Sequence, residues 1–198
     1  MTALVLASAS PIRARLLRAA GLKIAVAPAA VDEAAVRESL LKDRTPPGGI
    51  ADALAELKAR KVSQSRTDKL VIGADQVLAL SGEIIGKSAD LTAARELLRR
   101  LSGREHELVC AVVLAREGVV VWRHCATVKM VMRPLSGEFL DSYVRREGET
   151  ALDCVGGYRF EGEGVQLFSH YVGDYFAILG LPLLPLLGAL RELGALAE

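Results

Sequence analysis

The chain has 198 residues, of which 51% are hydrophobic and 25% charged, with 25 Lys and Arg against 24 Asp and Glu. That length suits one well-packed domain, and no Pro/Gly/Ser-rich linker, repeat or low-complexity tract divides it, so residues 1–198 read as a single domain. A net charge of +1 argues against a generic nucleic-acid binder, whose affinity rests on excess positive charge, so any anion site has to be local.

The apolar start, Met1 to Ala9, has no basic n-region and reads as a poor signal peptide. A strand-like run at 3–7 is followed by the small-residue turn Ser8, Ala9, Ser10. A helix over 10–20 comes next, with Ser10 as N-cap, Pro11 at the first helical position, Leu16, Leu17 and Ala20 on its buried stripe and Gly21 as its stop. Arg13 then lies in the first turn, where the helix dipole is positive and a cation is unfavourable unless an anion joins it. Two readings stand open: a phosphate site made of serine hydroxyls, free backbone N–H groups and the guanidinium, or a solvated arginine paired with a carboxylate.

A strand run at 23–28 precedes a helix at 34–43, and Asp32 and Glu33 fall where that helix opens. Taken alone, they read as dipole partners. A helix at 50–64 carries Lys58 in register with Leu54 and Leu57, at the boundary of the buried face, where a snorkelling surface lysine is the default. Strand runs at 69–74 and 77–80 flank Gly73, Ala74 and Asp75 in "KLVIGADQVLAL". A carboxylate at the carboxyl end of a buried strand lines the crevice where open α/β sheets bind ligands, so Asp75 is a candidate general base or metal ligand. A turn aspartate bonding its own backbone is the alternative. "SGEIIGKS", 81–88, has the look of a phosphate-binding P-loop, but one residue is missing between Gly82 and Gly86, and Ser81 stands where the first glycine belongs. Lys87 remains a candidate point charge for a phosphate.

A helix at 90–101 leads to strands at 107–115 and 119–132, joined by Arg116, Glu117 and Gly118 as an expected antiparallel hairpin, and then to a helix at 136–146. The glycine-rich "DCVGGYRFEGEG", 153–164, holds Tyr158, Phe160 and Glu161. It reads either as an ordinary connection or as a loop whose carboxylate accepts two hydrogen bonds from the N–H groups of a base. Tyr175 to Leu190 is uncharged over 16 residues, shorter than a membrane span of about 20 and interrupted by Pro182 and Pro185, so a buried helix is expected over 182–194. Cys110, Cys125 and Cys154, like His106, His124 and His170, lack metal-ligand spacing and read as reduced thiols and locally packed histidines. The alternation of elements predicts a mixed, twisted α/β sheet flanked by helices.

In this order, "LASASPIRARLL" (6–17), "VDE" (31–33), "ELKA" (56–59), "GADQV" (73–77), "GK" (86–87), "LSGREHEL" (101–108) and "EGEGVQLF" (161–168), followed by "GLPLLPLL", resemble the Maf-like nucleoside triphosphate pyrophosphatases over essentially the whole chain. The resemblance implies a mixed α/β fold of the Maf/ITPase type with two lobes around a nucleotide cleft and a homodimer, while the reduced thiols, the charge balance and the short uncharged run lead to the expectation of a cytoplasmic protein with no nucleic-acid or membrane partner. It implies a hydrolase acting on acid anhydrides. The bond between the α and β phosphates of a nucleoside triphosphate is cut to a monophosphate and pyrophosphate, with a divalent cation, Mg2+ first and Mn2+ second. By matching position, Asp75 is expected to activate water and, with Glu33, to hold the metal. Ser8, Arg13, Lys58 and Lys87 are expected on the phosphates, and Ile12, Gln76 and Glu161 at positions of substrate choice.

Gln76 and the "EGEG" loop are similar to the branch acting on 7-methyl-GTP, whereas Ile12 stands where that branch often carries tryptophan and Ala14 replaces the second arginine of the usual pair. An aromatic face would favour a cationic methylated guanine by about 0.5 to 2 kcal/mol, which isoleucine does not supply. The triphosphate expected at Ser8 and Arg13 accounts for a cation in the first turn. The alternative function is a non-catalytic nucleotide-binding regulator of cell division and septum formation, which would have no use for a water-activating carboxylate.

Overall fold

The computed structural model describes residues 3–197; Met1 and Thr2 of the apolar start, and Glu198 at the end of the expected 1–198 domain, lie outside the described residues. In chain order the strands and α-helices are β1 (Leu4–Leu6), α1 (Pro11–Ala19), β2 (Ile24–Val26), α2 (Glu33–Lys42), α3 (Pro47–Gln64), β3 (Leu70–Leu80), β4 (Glu83–Ile85), α4 (Leu91–Leu101), β5 (Glu105–Arg116), β6 (Val119–Met132), α5 (Gly137–Glu147), β7 (Phe168–Val172), α6 (Tyr175–Ile178) and α7 (Leu183–Glu192), with short 3-10 helices at Gly148–Asp153, Val155–Gly157 and Glu163–Leu167 between α5 and β7. The strand order is β2-β1-β3-β5-β6-β7, with β4 paired to β3. β1 is parallel to both β2 and β3, whereas β3–β4 and β6–β7 are antiparallel, so the sheet is mixed as expected. Glu117 and Gly118, with φ of 52° and 78°, make the two-residue left-handed turn that the β5–β6 hairpin requires. Among the described residues no helix is long and apolar enough to cross a membrane.

One expectation changes here. The runs at 69–74 and 77–80 are a single strand, β3, and Asp75 sits inside it, not in a turn. Its neighbours Ala74 and Val77 are fully buried apolar residues, which keeps the backbone in the ladder through the charged position. β1 stops at Leu6 opposite Ile72, so Asp75 lies beyond the last residue of β3 that β1 covers.

The chain forms two compact units. The first comprises residues up to Gln76, Cys110–Ala126 and the segment from Asp174 onward; the second comprises Val77–Val109 and Thr127–Gly173. In the first, Leu4, Leu6, Leu70, Ile72, Leu17, Leu186 and Leu190 join one core in which α1 and α7 pack on the parallel strands. α3 adds Leu54, Ala55, Ala59 and Val62 at helical spacing, while α2 buries no residue and packs on α3. In the second unit, α4 buries Ala94, Leu97, Leu98 and Leu101 and packs on α5. His106, Tyr158 and Phe168 form an aromatic cluster there, with the His106 Nε2 at 2.7 Å from the Tyr158 hydroxyl. Burial holds the imidazole down to about 4, so it stays neutral.

Candidate functional site

Gly73 explains how the site forms. A Cβ placed there would meet the Ala55 carbonyl oxygen at 2.2 Å and the Ala59 Cβ at 2.8 Å, so β3 lies directly on α3. The helical repeat puts Lys58 on that same contact face, and it is buried, at 6% exposure, where sequence reasoning expected a surface side chain. The reason is electrostatic: the ammonium turns inward onto two carboxylates. Lys58 Nζ donates to Asp75 Oδ1 at 2.7 Å and reaches Glu33 Oε2 at 2.8 Å. Asp75 is 5% exposed, and its second oxygen, Oδ2, is buried with no hydrogen-bond partner among the described residues. Such an orphaned acceptor costs free energy unless a ligand or ion satisfies it.

The two acids that open α2 have different tasks. Asp32 is the N-cap, its carboxylate accepting from the Ala35 N–H at 3.0 Å, which leaves Glu33 as the partner of Lys58. At α1, Ser10 occupies the cap position without a side-chain cap bond, a correction to the expected cap. Its N–H instead donates to Ser8 Oγ at 3.2 Å, which draws the turn back onto β1.

Arg13 is buried, not solvated, and pairs with no carboxylate among the described residues. Nε donates to the Gly180 carbonyl at 2.7 Å, and Nη1 donates to the Ala74 carbonyl at 2.9 Å and to Ser8 Oγ at 3.1 Å. All of its acceptors are neutral, and Nη2 takes no partner among the described residues. A buried cation held in this way keeps its charge available for an anion. Gly180 has φ of +89°, and a Cβ there would come within 3.2 Å of Arg13 Nε, so glycine is needed both for the turn and for the guanidinium's close approach. Gln76 is tied to the same turn: its Nε2 donates to the Ala177 carbonyl at 2.7 Å and the Ile178 carbonyl at 3.1 Å. Both amide protons are thus engaged, leaving Oε1 as the group offered to a ligand. The turn from α6 to Gly180 is the functional element that sequence reasoning missed. Its signal, "AILGLP", lay in an uncharged run and overlaps the "GLPLLPLL" of the resemblance, with no site role attached to it.

Ile12 sits half-buried on α1 beside Arg13. The remaining expected residues belong to the second unit. Lys87 is exposed just after β4, and Glu161 is exposed in the turn that follows Phe160. Both act on the Cys154 thiol, which burial pushes up to about 11, with Glu161 raising it and Lys87 lowering it. Phe160 packs edge-on against Phe168 and Tyr171, each at 5.5 Å between ring centres.

Cys110, Cys125 and Cys154 are all free thiols, as expected. Burial drives Cys110 up to about 12, too high for a thiolate nucleophile. A cavity of about 510 Å³ opens at the amino ends of β1 and β2 between Arg18, Lys23, Arg66 and Lys69; none of the site residues above lines it. Among the described residues there is no cage of three or more His, Cys, Asp or Glu side chains for a metal. The donor set of Glu33 and Asp75 nonetheless fits a hard divalent cation, which keeps several waters and needs only one or two carboxylates from the protein. The buried Asp75 Oδ2, without a partner among the described residues, leaves that carboxylate an acceptor to spare for a water beside such a cation.

The fold and these residues define a mixed α/β protein with a buried ammonium held by the buried Asp75 and the partly exposed Glu33, and an arginine held only by neutral acceptors, one of them the neighbouring Ala74 carbonyl. Residues 3–193 match the family of Maf-like proteins, and the chain belongs to it. It is 51% identical over 193 residues to the 7-methyl-GTP pyrophosphatase of Rhizobium meliloti (strain 1021), covering 98% of this chain and 97% of that one. It is 48% identical over 189 residues to the nucleoside triphosphate pyrophosphatase of Hyphomonas neptunium (strain ATCC 15444), covering 96% and 95%. Among solved structures, a HAM1 protein from Coxiella burnetii is similar at a TM-score of 0.43 and 17% identity, over 67% of this chain and 73% of that one.

Proposed function

We propose that this protein is a nucleoside triphosphate pyrophosphatase that hydrolyses the bond between the α and β phosphates, releasing a nucleoside monophosphate and pyrophosphate. Besides the kinship, the observation that carries the reading is the buried Asp75 Oδ2, unpartnered among the described residues, on a carboxylate whose Oδ1 already holds Lys58, one residue along β3 from the Ala74 carbonyl that Arg13 binds. Asp75 Oδ2 takes the proton of the attacking water as its oxygen bonds to the α phosphorus and the bridging oxygen departs with pyrophosphate. Ser8 and Arg13, through its free Nη2, hold phosphate oxygens, and Lys58 and Lys87 offset the negative charge that grows on them. Glu33 and Asp75 would hold the divalent cation, Mg2+ in the first place, which when bound neutralises phosphoryl charge and binds water.

For the base, Gln76 offers only Oε1 and Glu161 a carboxylate. Either acceptor by itself suits an edge that presents N–H donors, as guanine does, and with the kinship to 7-methyl-GTP pyrophosphatases this supports a substrate of the GTP or 7-methyl-GTP kind. The proposal includes a cytoplasmic homodimer that clears surplus or modified nucleotides.

The test is product analysis with Mg2+ and a panel of GTP, 7-methyl-GTP, UTP, dTTP and CTP, for the wild type and Asp75→Asn. Monophosphate plus pyrophosphate is expected, with turnover lowered by about 10²- to 10⁴-fold in the variant and nucleotide binding retained. Diphosphate plus free phosphate, or binding without turnover by the wild type, would overturn the proposal.

A further inference from the structure

Lys58 is committed to two partners at once, and this bears on how the site is loaded. Its ammonium lies 2.7 Å from Asp75 Oδ1 and 2.8 Å from Glu33 Oε2, the same two carboxylates that suit a divalent cation. We infer that Lys58 is the built-in counter-cation of this carboxylate pair, which a divalent metal must displace, so that metal binding releases the ammonium toward the triphosphate. The inference rests on the proposed function for the identity of the metal and phosphate sites.

Two carboxylates that meet at one point repel each other and need positive charge between them. Lys58 supplies it from a side chain that is itself buried, on a helix held against β3 by the Gly73 contact. A lysine suits a resident that must leave: it is a compact point charge on a flexible four-carbon stem, whereas an arginine fork would lock both carboxylates in place. The site holds one ammonium against two carboxylates, so a divalent ion in its place neutralises both charges where Lys58 neutralises one. Once that ion is bound, the Lys58 charge has no partner among these acids. Arg13 stands ready independently, since its acceptors are all neutral carbonyl and hydroxyl oxygens. Lys58 is the switched cation of the pair and Arg13 the constant one.

The consequence runs against the ordinary expectation for a phosphate-binding lysine. Removing it should tighten the metal. Mn2+ alone, without nucleotide, is titrated into the wild type, Lys58→Met and Lys58→Arg, with free Mn2+ followed by its paramagnetic resonance signal. Lys58→Met should bind Mn2+ about tenfold more tightly than the wild type, because a competing charge in direct contact is gone. Lys58→Arg, which keeps the charge, should bind no more tightly than the wild type. Equal or weaker Mn2+ binding by Lys58→Met would overturn the inference, as would absence of Mn2+ binding from every form.

A measurement on the unaltered chain guards against a variant that fails to fold. The Lys58 Cε resonance should move on saturation with Mg2+ alone, and a fixed resonance would also overturn the inference. Neither readout uses turnover. A protein that binds Mn2+ as expected but cleaves no triphosphate would contradict the proposed function alone, and an active pyrophosphatase whose metal affinity ignores Lys58 would contradict this inference alone.

Discussion

Replacing Gly73 by alanine adds one methyl group at the point where β3 rests on α3. Its Cβ would fall 2.2 Å from the Ala55 carbonyl oxygen, 2.7 Å from the Ala59 nitrogen and 2.8 Å from the Ala59 Cβ. Two of these three are backbone atoms, which no rotamer change can move. Ordinary van der Waals separation therefore requires strand and helix to part by about 1 Å, and overpacking of this kind costs about 1 to 3 kcal/mol. For a chain of this size each kcal/mol lowers the melting temperature by roughly 2 to 4 °C, so a loss of about 2 to 12 °C is expected. The catalytic consequence is larger. The same 1 Å lies between Lys58 Nζ and Asp75 Oδ1, now 2.7 Å apart, and a displacement of about 1 Å in a positioned group can cost about 100-fold in rate. The assay is a melting curve alongside kcat/KM for the best triphosphate. Adding Ala59→Gly should restore neither, because the Ala55 carbonyl stays in the way. A Gly73→Ala protein that melts and turns over like the wild type would refute the claim that this close approach builds the site.

Three further outcomes follow from other contacts. Gly180→Ala strains a backbone at φ +89° by about 1 to 2 kcal/mol and crowds Arg13 Nε at 3.2 Å. It should raise KM for every triphosphate about tenfold with a smaller change in kcat, and an unchanged KM would show that the turn does not position Arg13. Gln76→Leu frees the Ala177 and Ile178 carbonyls and removes Oε1, so the ratio of kcat/KM for GTP over UTP should fall about tenfold; a constant ratio would remove Gln76 from base selection. The pH dependence of stability should carry the mark of His106, whose imidazole sits at about 4 in the fold against a usual 6.5. Above about pH 6.5 it is neutral in both states and contributes no slope. Between 6.5 and 4 the unfolded chain takes the proton and the fold does not, so stability falls by about 1.4 kcal/mol per pH unit as the solution is acidified. Urea unfolding of the wild type and His106→Gln across that window should show a shallower decline for the variant, and parallel curves would refute the assignment.

Local pattern alone determined most of the secondary structure. The Pro11 start of α1, the amphipathic repeats of α3, α4 and α5, and the Glu117–Gly118 turn each depend on neighbours within a few residues, which is the range over which helical and strand periods operate. The elements absent from the sequence reading, β4, β7 and α6, are three, five and four residues long, too short to establish a period. Site residues were legible as candidates through the resemblance of their motifs, but their environments were not. Lys58 has the spacing of a surface lysine and becomes a buried ion-pair partner only because Gly73, on another element, lets β3 come close. Arg13 was legible as a first-turn cation that calls for an anion, a phosphate or a carboxylate, but the acceptors that hold it were not. One of its three acceptors, the Gly180 carbonyl, is 167 residues away along the chain. Charge and periodicity are written locally, whereas which acceptors surround a buried cation, and which oxygen of Asp75 is left without a partner, depend on chain segments that meet only when the core closes.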